Sequence, residues 1–188
     1  KTVFFTLLLV ILSLLYSSTL HSPFNFDDEV VIKHETIHNT KSHFFKEINN
    51  LQYRHLFYSS FVFNYSLGEL RPFGYHLINI SLHFLTSIVI FFIAFITIEK
   101  GLSLNKKDAL SIAGITTLFF SINPVHSETV NYISARAVGM SSFFYLSAFL
   151  SFIVGSFRER KTLSRFLLYF LSLICFLAST LSKETALT

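Results

Sequence analysis

The 188-residue chain has no tryptophan, one cysteine, one methionine, three prolines and six glycines. A single cysteine excludes an internal disulfide, and Cys175 lies inside an apolar run, where it reads as a packing residue. So few prolines and glycines, all scattered, exclude collagen-like and low-complexity organisation. No internal repeat, heptad run or soluble domain boundary is visible either. Charge is also scarce: 14% of residues are Asp, Glu, Lys or Arg against 52% hydrophobic, and the mean hydropathy is +0.55. An ordinary soluble domain carries about 25% charged residues, so this chain needs lipid around it.

Five stretches are apolar enough to cross a membrane: 3–20, 76–98, 109–125, 138–157 and 166–181. Each runs close to the roughly 17 to 25 residues that span a hydrocarbon core as helix. A cleaved signal peptide is the rival reading of the first stretch, since Lys1 precedes it and Ser17, Ser18 and Thr19 end it. Its length and the four spans behind it favour a retained anchor. The expected fold is therefore all-α, a polytopic transmembrane helical bundle of about five spans. The chain begins without Met and breaks off soon after the fifth span, so it reads as part of something larger.

Orientation follows from Lys and Arg, which short loops hold on the cytoplasmic side. With Lys1 inside, the short inner segments carry Lys100, Lys106, Lys107, Arg158, Arg160, Lys161 and Arg165. The N terminus is expected to be cytoplasmic, and the basic pI of about 9.2 reflects topology rather than nucleic-acid binding. The first outer loop, 21–75, is too long for a turn and too aromatic for simple disorder, so it needs structure of its own. Within it, apolar residues from Phe44 to Leu67 recur at three- and four-residue steps, which predicts one or two amphipathic surface helices.

Four groups could carry chemistry. Asp27 and Asp28, followed by Glu29 and preceded by Phe24 and Phe26, crowd like charges at a membrane surface. Such crowding is costly unless the acids serve as a base, a metal ligand or an anchor for a cation. Arg71-Pro72 runs into His76, Asn79 and His83, which share one face of a helix and at that depth should line the bundle interior or a wet cavity. Asn123-Pro124 suits a helix N-cap with proline in the first turn. On that helix Glu128, Asn131 or Tyr132, and Arg136 would form a polar stripe. Arg71 and Arg136 suit bidentate phosphate recognition, although Arg136 could equally pair with an acid. Lys183-Glu184 closes the set. The topology puts all four groups, and His126 with them, on the outer side. Asn64-Tyr65-Ser66 is a glycosylation sequon on that same side.

The series Phe26-Asp27-Asp28, Arg71-Pro72 with Gly74-Tyr75-His76-Leu77-Ile78-Asn79, Asn123-Pro124-Val125-His126-Ser127-Glu128-Thr129-Val130 with Ser134-Ala135-Arg136-Ala137, and Ser182-Lys183-Glu184 resembles the membrane portion of the transmembrane and tetratricopeptide-repeat O-mannosyltransferases and their bacterial relatives. It departs from them at Asn123, where a histidine is common, and at Ala137-Val138-Gly139, which lacks the acid frequent beside that arginine. The resemblance implies the N-terminal membrane part of a glycosyltransferase with the polytopic GT-C fold. It also implies a polyprenyl-phosphate (dolichyl or undecaprenyl) sugar donor and a protein or glycan acceptor. The expected host membrane is the endoplasmic reticulum or the bacterial inner membrane, with the active side luminal or periplasmic.

In the mechanism so implied, Asp28, ahead of Asp27, takes the proton of an acceptor hydroxyl. Arg136, Lys183 and Arg71 stabilise the departing phosphate, with His126, Glu128 and His76 nearby. Asp27, Asp28 and Glu128 could instead gather a divalent cation, since hard cations favour oxygen ligands. The alternative is a non-catalytic scaffold or lipid- or peptide-binding module, with the same groups as structural ion pairs. A transporter fits less well, because carriers keep their polar groups near the bilayer midplane.

Overall fold

Runs of Leu, Phe and Ile interrupted by few breakers wind into helices wherever lipid or a neighbouring helix can take their side chains. The computed structural model describes residues 2–33, 37, 54–157 and 162–187. Among these, the helices are α1 (Thr2–Leu15), α2 (Asp27–Ile32), α3 (His55–Gly68), α4 (Pro72–Ile96), α5 (Lys106–Ser121), α6 (Ser127–Asn131), α7 (Arg136–Ser156) and α8 (Thr162–Ser182). Short 3-10 turns lie at Thr19–His21, Pro124–His126 and Glu184–Leu187, and no strand occurs among the described residues. The fold is all-α. Lys1, Glu35, Lys41, Lys46, Glu47, Arg158, Arg160, Lys161 and the first part of the expected amphipathic stretch, 44–53, lie outside the described residues.

The expectation of five spans needs correction. Three helical segments are long and apolar enough to cross a membrane: Pro72–Gly101, Arg136–Ser156 and Thr162–Ser182. A fourth crossing exists only if the pair Lys106–Ser121 and Pro124–Asn131, bent by 49°, counts as one. The break sits at Asn123-Pro124, where proline cannot donate the hydrogen bond that would continue the helix. Helix α1 has 14 residues, about 21 Å at 1.5 Å per residue, less than a hydrocarbon core of about 30 Å. It stops at Leu15 because the backbone turns through Tyr16 to Ser18 into the 3-10 turn at Thr19. Apolar composition alone had carried that span five residues too far. With multiple apolar helices of this length, the chain is a multi-pass integral membrane protein.

Packing divides into three apolar clusters. Phe91, Phe95, Ala109 and Ala113 join α4 to α5 at one end, with Phe4 and Phe5 of α1 laid against them. Leu8, Leu12 and Tyr16 of α1 meet Ile80 and Val130 further along. At the other end Ile32, Ile37, Phe57, Phe61, Tyr75, Ile133 and Ala137 form a cap that draws α2, α3, α4 and α7 together. Helix α3 supplies Phe57, Phe61 and Asn64 to the interior yet exposes Phe63 and Leu67. It therefore has no polar outer face, contrary to the amphipathic expectation. Asn64 is buried, 4% exposed, so the sequon is folded away inside a helix.

Small residues set the close helix approaches that lipid-embedded bundles rely on. The α7–α8 hairpin is tied by Ser179 donating to the Ser141 carbonyl at 2.8 Å and by Ser172 donating to the Ala148 carbonyl at 2.8 Å. Near its turn Gly155 lies so close to Tyr169 that a Cβ there would stand 3.0 Å from the ring. The α4–α5 pair is pinned by Ser121 donating to the Ser87 hydroxyl at 2.9 Å.

Candidate active site

The site is built where the loop after α1 meets the turn between α6 and α7. Phe26, with φ of 49°, occupies the left-handed region that a side chain rarely adopts, and its ring is 87% exposed. That strained residue reverses the chain so that Asp27 and Asp28 open α2, where acids favour the positive end of the helix dipole. The two aspartates then part ways. Asp28 is 1% exposed. Its Oδ1 accepts from the Ser134 backbone N–H at 2.7 Å and its Oδ2 from the Asn25 N–H at 3.3 Å. Asp27 is exposed; its backbone N–H donates to the Tyr132 hydroxyl at 3.1 Å, and its carboxylate has no partner among the described residues. One aspartate clamps the loop onto the start of α7, and the other is presented.

Arg136, the first residue of α7, is fully buried. Its Nε donates to Asn79 Oδ1 at 2.9 Å, Nη2 to the Tyr75 carbonyl at 3.0 Å, and Nη1 to the carbonyl and hydroxyl of Ser60 at 3.3 and 3.2 Å. The guanidinium also lies over the Phe61 ring, 4.3 Å from its centroid. Asn79 turns its amide nitrogen to the carbonyls of Tyr132 and Val130, at 3.1 and 3.4 Å. A cation in lipid-surrounded protein must have its donors paired, and here oxygens of α3 and α4 pair them. Asp28 and Arg136 act on each other electrostatically without forming an ion pair. The expected polar stripe on one helix is corrected: α6 ends at Asn131, Tyr132 is extended, and Arg136 belongs to the next helix. Asn123 does cap as expected, its side chain accepting from the Val125 N–H at 3.0 Å.

The aligned trio on α4 is buried as its spacing predicts, with His76, Asn79 and His83 all under 9% exposed. His76 Nε2 bonds the Ser22 carbonyl at 3.1 Å, and its Nδ1 is buried without a partner among the described residues. His83 Nε2 bonds the Ser121 carbonyl at 3.0 Å. The rings of His83, Phe120 and His126 gather within 5.5 Å of one another between centroids.

Three hollows surround these groups. A polar groove of about 690 Å³ is lined by Ser18, Thr19, Ser22, Asn25, Phe26, Glu128 and Tyr132. A more enclosed cavity of about 290 Å³ is lined by His83, His126, Asn79, Arg136 and apolar residues of α7. It shares Val138, Ser142 and Leu146 with a neighbouring hollow of about 400 Å³ that contains half-buried Lys183. The ammonium of Lys183 has no hydrogen-bond partner among the described residues. Glu128 and Arg71 are exposed and likewise without side-chain partners among them. Glu184 is committed, because Arg54 grips it with bonds of 2.9 and 2.7 Å. That grip holds the Glu184 carboxyl down at about 2 and pushes the Arg54 guanidinium up.

The contacts Asp28–Ser134, Asp27–Tyr132, His76–Ser22 and Arg54–Glu184 bring the four sequence-predicted groups to one end of the bundle. Asp27, Asp28 and Glu128 do not converge: among the described residues no three such side chains are placed to hold a metal ion. Both Asp28 oxygens already face backbone N–H groups, so this acid set does not fit a cation. Sequence reasoning missed Asn25, Ser60, Phe120 and Ser134. The Asn25–Asp28 pair had a legible signal, since an acid three residues after Asn has capping-box spacing. Ser134 contributes through its backbone N–H and Ser60 partly through its carbonyl, groups that carry no sequence signature.

No family model and no solved structure matches the chain. Curated relatives do. Protein O-mannosyl-transferase TMTC3 of Homo sapiens is 36% identical over 107 residues, covering 57% of this chain and 11% of its own length. Protein O-mannosyl-transferase Tmtc3 of Drosophila melanogaster is 32% identical over 156 residues, covering 76% and 17%. The chain belongs to the TMTC protein O-mannosyl-transferase family. Protein O-mannosyl-transferase F38B6.6 of Caenorhabditis elegans, 29% identical, extends the match to 96% of this chain and 26% of its own length. The chain thus spans a tenth to a quarter of these TMTC relatives.

Proposed function

We propose that the whole protein is a membrane glycosyltransferase that moves mannose, or a similar hexose, from a polyprenyl-phosphate carrier to a protein or glycan hydroxyl. The working side is the luminal face of the endoplasmic reticulum, or the periplasmic face in a bacterial host. The observation that carries this reading is the division of labour between the two aspartates. Asp28 is spent on clamping the loop, whereas the exposed Asp27 follows Phe26 and is held by Tyr132, both of which line the polar groove. The roles implied by the family resemblance are therefore revised, with Asp27 as the base and Asp28 as a positioning residue.

In the proposed step the acceptor O–H gives its proton to the Asp27 carboxylate, and the oxygen attacks C1 of the sugar from the face opposite the phosphate. The C1–O bond to phosphate breaks, and its electron pair leaves with the phosphate. Lys183 is the cation available to that charge, since Arg136 already spends its donors on Asn79, Ser60 and Tyr75. Glu128 lines the acceptor groove and Lys183 a separate hollow, so an anionic donor is steered away from Asp27 and Glu128. Arg71 remains the second candidate phosphate contact, His126 shapes the wall of the enclosed cavity, and His76 holds the loop after α1 through the Ser22 carbonyl.

The test is transfer of labelled mannose from a polyprenyl phosphate by full-length protein in membranes. General-base help is typically worth about 10²- to 10⁴-fold. Asp27→Asn should lose that factor in kcat while remaining folded. Full activity of Asp27→Asn would remove Asp27 from the mechanism. Inactivity of the wild type with every lipid-phosphate sugar would favour the scaffold reading.

A further inference from the structure

The end of the bundle opposite Asp27 carries a feature that sugar transfer does not use. Along the α7–α8 hairpin runs a groove of about 510 Å³ whose walls include Tyr145, Phe149, Phe152, Tyr169, Leu173 and Phe176. Phe149, Phe152, Phe166, Phe170 and Leu173 are all about half exposed or more, so the groove opens sideways onto the surface that faces lipid. At its far end the Tyr169 hydroxyl lies within hydrogen-bonding reach of Ser156 and of Arg165, one turn earlier on α8. Arg165 is half-buried, and its Nε is buried with no hydrogen-bond partner among the described residues. One N–H donor of a cation at the mouth of an aromatic trough is thus left without an acceptor among them.

We propose that this groove binds one acidic phospholipid, its phosphate on Arg165 and Tyr169 and an acyl chain along the trough. Three observations choose that occupant. From Arg165 to Phe176 the helix rises about 16 Å at 1.5 Å per residue, the reach of most of an acyl chain. Basic side chains at the membrane boundary attract acidic headgroups, and basic pockets between spans hold them. The sugar donor does not fit here, because α7 has 21 residues and so puts the groove mouth about 30 Å from the Asp27 end. The arginine fork and the tyrosine hydroxyl together present donors that a phosphate oxygen can accept from, while a choline headgroup would bring its own cation to the same place.

Full-length protein, purified in detergent and incubated with an equal mixture of phosphatidylglycerol and phosphatidylcholine, should retain phosphatidylglycerol preferentially when bound lipid is read by native mass spectrometry. A basic residue at the surface is worth about 1 kcal/mol towards an acidic lipid, so the preference should be about 5-fold. Arg165→Gln should abolish it, Arg165→Lys should keep it, and Tyr169→Phe should weaken it, each at an unchanged melting midpoint. Should Arg165→Gln fail to fold, the Lys and Phe variants carry the same comparison. Equal retention of both lipids, retention of neither, or an unchanged preference in Arg165→Gln overturns the proposal. Retention of neither would mean that further helices of the chain cover the groove. Displacement by soluble glycerol 3-phosphate would also overturn it, because the site would then hold free phosphate rather than a lipid.

Discussion

Arg136→Ala in the full-length protein should fail by unfolding before it fails in catalysis. The guanidinium has three of its nitrogens bonded to Asn79, Tyr75 and Ser60, atoms of α3 and α4, and it lies over Phe61. Hydrogen bonds to a charged group are worth about 1.5–3 kcal/mol each. Part of that gain is already offset by the desolvation of a buried cation. Truncation would leave Asn79 Oδ1 without its arginine partner, and the Tyr75 and Ser60 carbonyls without theirs, inside a region closed to water. The balance is about 3–5 kcal/mol, the cost of removing one partner from a buried charge network, set against a total stability of about 5–15 kcal/mol. Fluorescence-detected gel filtration and a melting curve in detergent would read the loss directly. Arg136→Lys should recover only part of it, because an ammonium lacks the planar fork that reaches all three partners on α3 and α4. Lys183→Ala, by contrast, should keep the melting midpoint and lower the transfer rate. If Arg136→Ala melts with the wild type yet transfers no sugar, the structural assignment of Arg136 is wrong and the phosphate contact implied by the family resemblance is restored.

Three further outcomes follow from the packing. The Arg54–Glu184 grip depresses the Glu184 pKa from 4.5 to about 2, so its stabilisation is fully present above pH 4.5 and is lost as the pH falls towards 2. The melting-midpoint difference between wild type and Glu184→Gln should therefore be flat near neutrality and shrink below pH 4.5. Added salt should also shrink it, the pair being roughly 40% exposed. Gly155→Ala places a methyl 3.0 Å from the Tyr169 ring, and relieving that contact should cost about 1–3 kcal/mol, visible as a lower melting midpoint. In a eukaryotic host, Asn64→Gln should leave the gel mobility of the folded protein unchanged, because Asn64 is buried in α3; a mobility shift would place that helix at the surface.

Helix class and the buried face of α4 were legible in the sequence because both rest on periodicity. His76, Asn79 and His83 at steps of three and four can only share a face, and polar groups on a span turn inward for want of water. The length of α1 was not legible, since Leu20 beyond Ser17-Ser18-Thr19 keeps the window apolar on average while the small polar residues allow the backbone to turn. Nor was the separation of Arg136 from Glu128. Nothing between Asn131 and Ala135 is a strong helix breaker, and the interruption is imposed by tertiary contacts, with Asn79 bonding the Tyr132 carbonyl and Asp28 the Ser134 N–H.

The same distinction explains why the aspartate pair reads ambiguously as sequence. Adjacent residues at a helix start point about 100° apart, since 3.6 residues make a turn, so one of two neighbouring acids is turned inward and the other outward. Composition cannot say which. The left-handed Phe26 decides it by fixing where α2 begins, and Asn25 and Ser134 supply N–H groups only to the second acid. Moving that start by one residue would put Asp27 in the clamped position and Asp28 in that of Glu29, leaving no acid where Asp27 stood. An insertion of one alanine between Phe26 and Asp27 is thus a sharper perturbation than either Asn substitution. It should bury Asp27 in the clamp, carry Asp28 about 200° round α2 from the place Asp27 held, and lower transfer at least as far as Asp27→Asn does. Adding Asp28→Asn to the insertion would then remove whatever activity remains, whereas adding Asp27→Asn would loosen the loop, seen as faster proteolysis between α2 and α3.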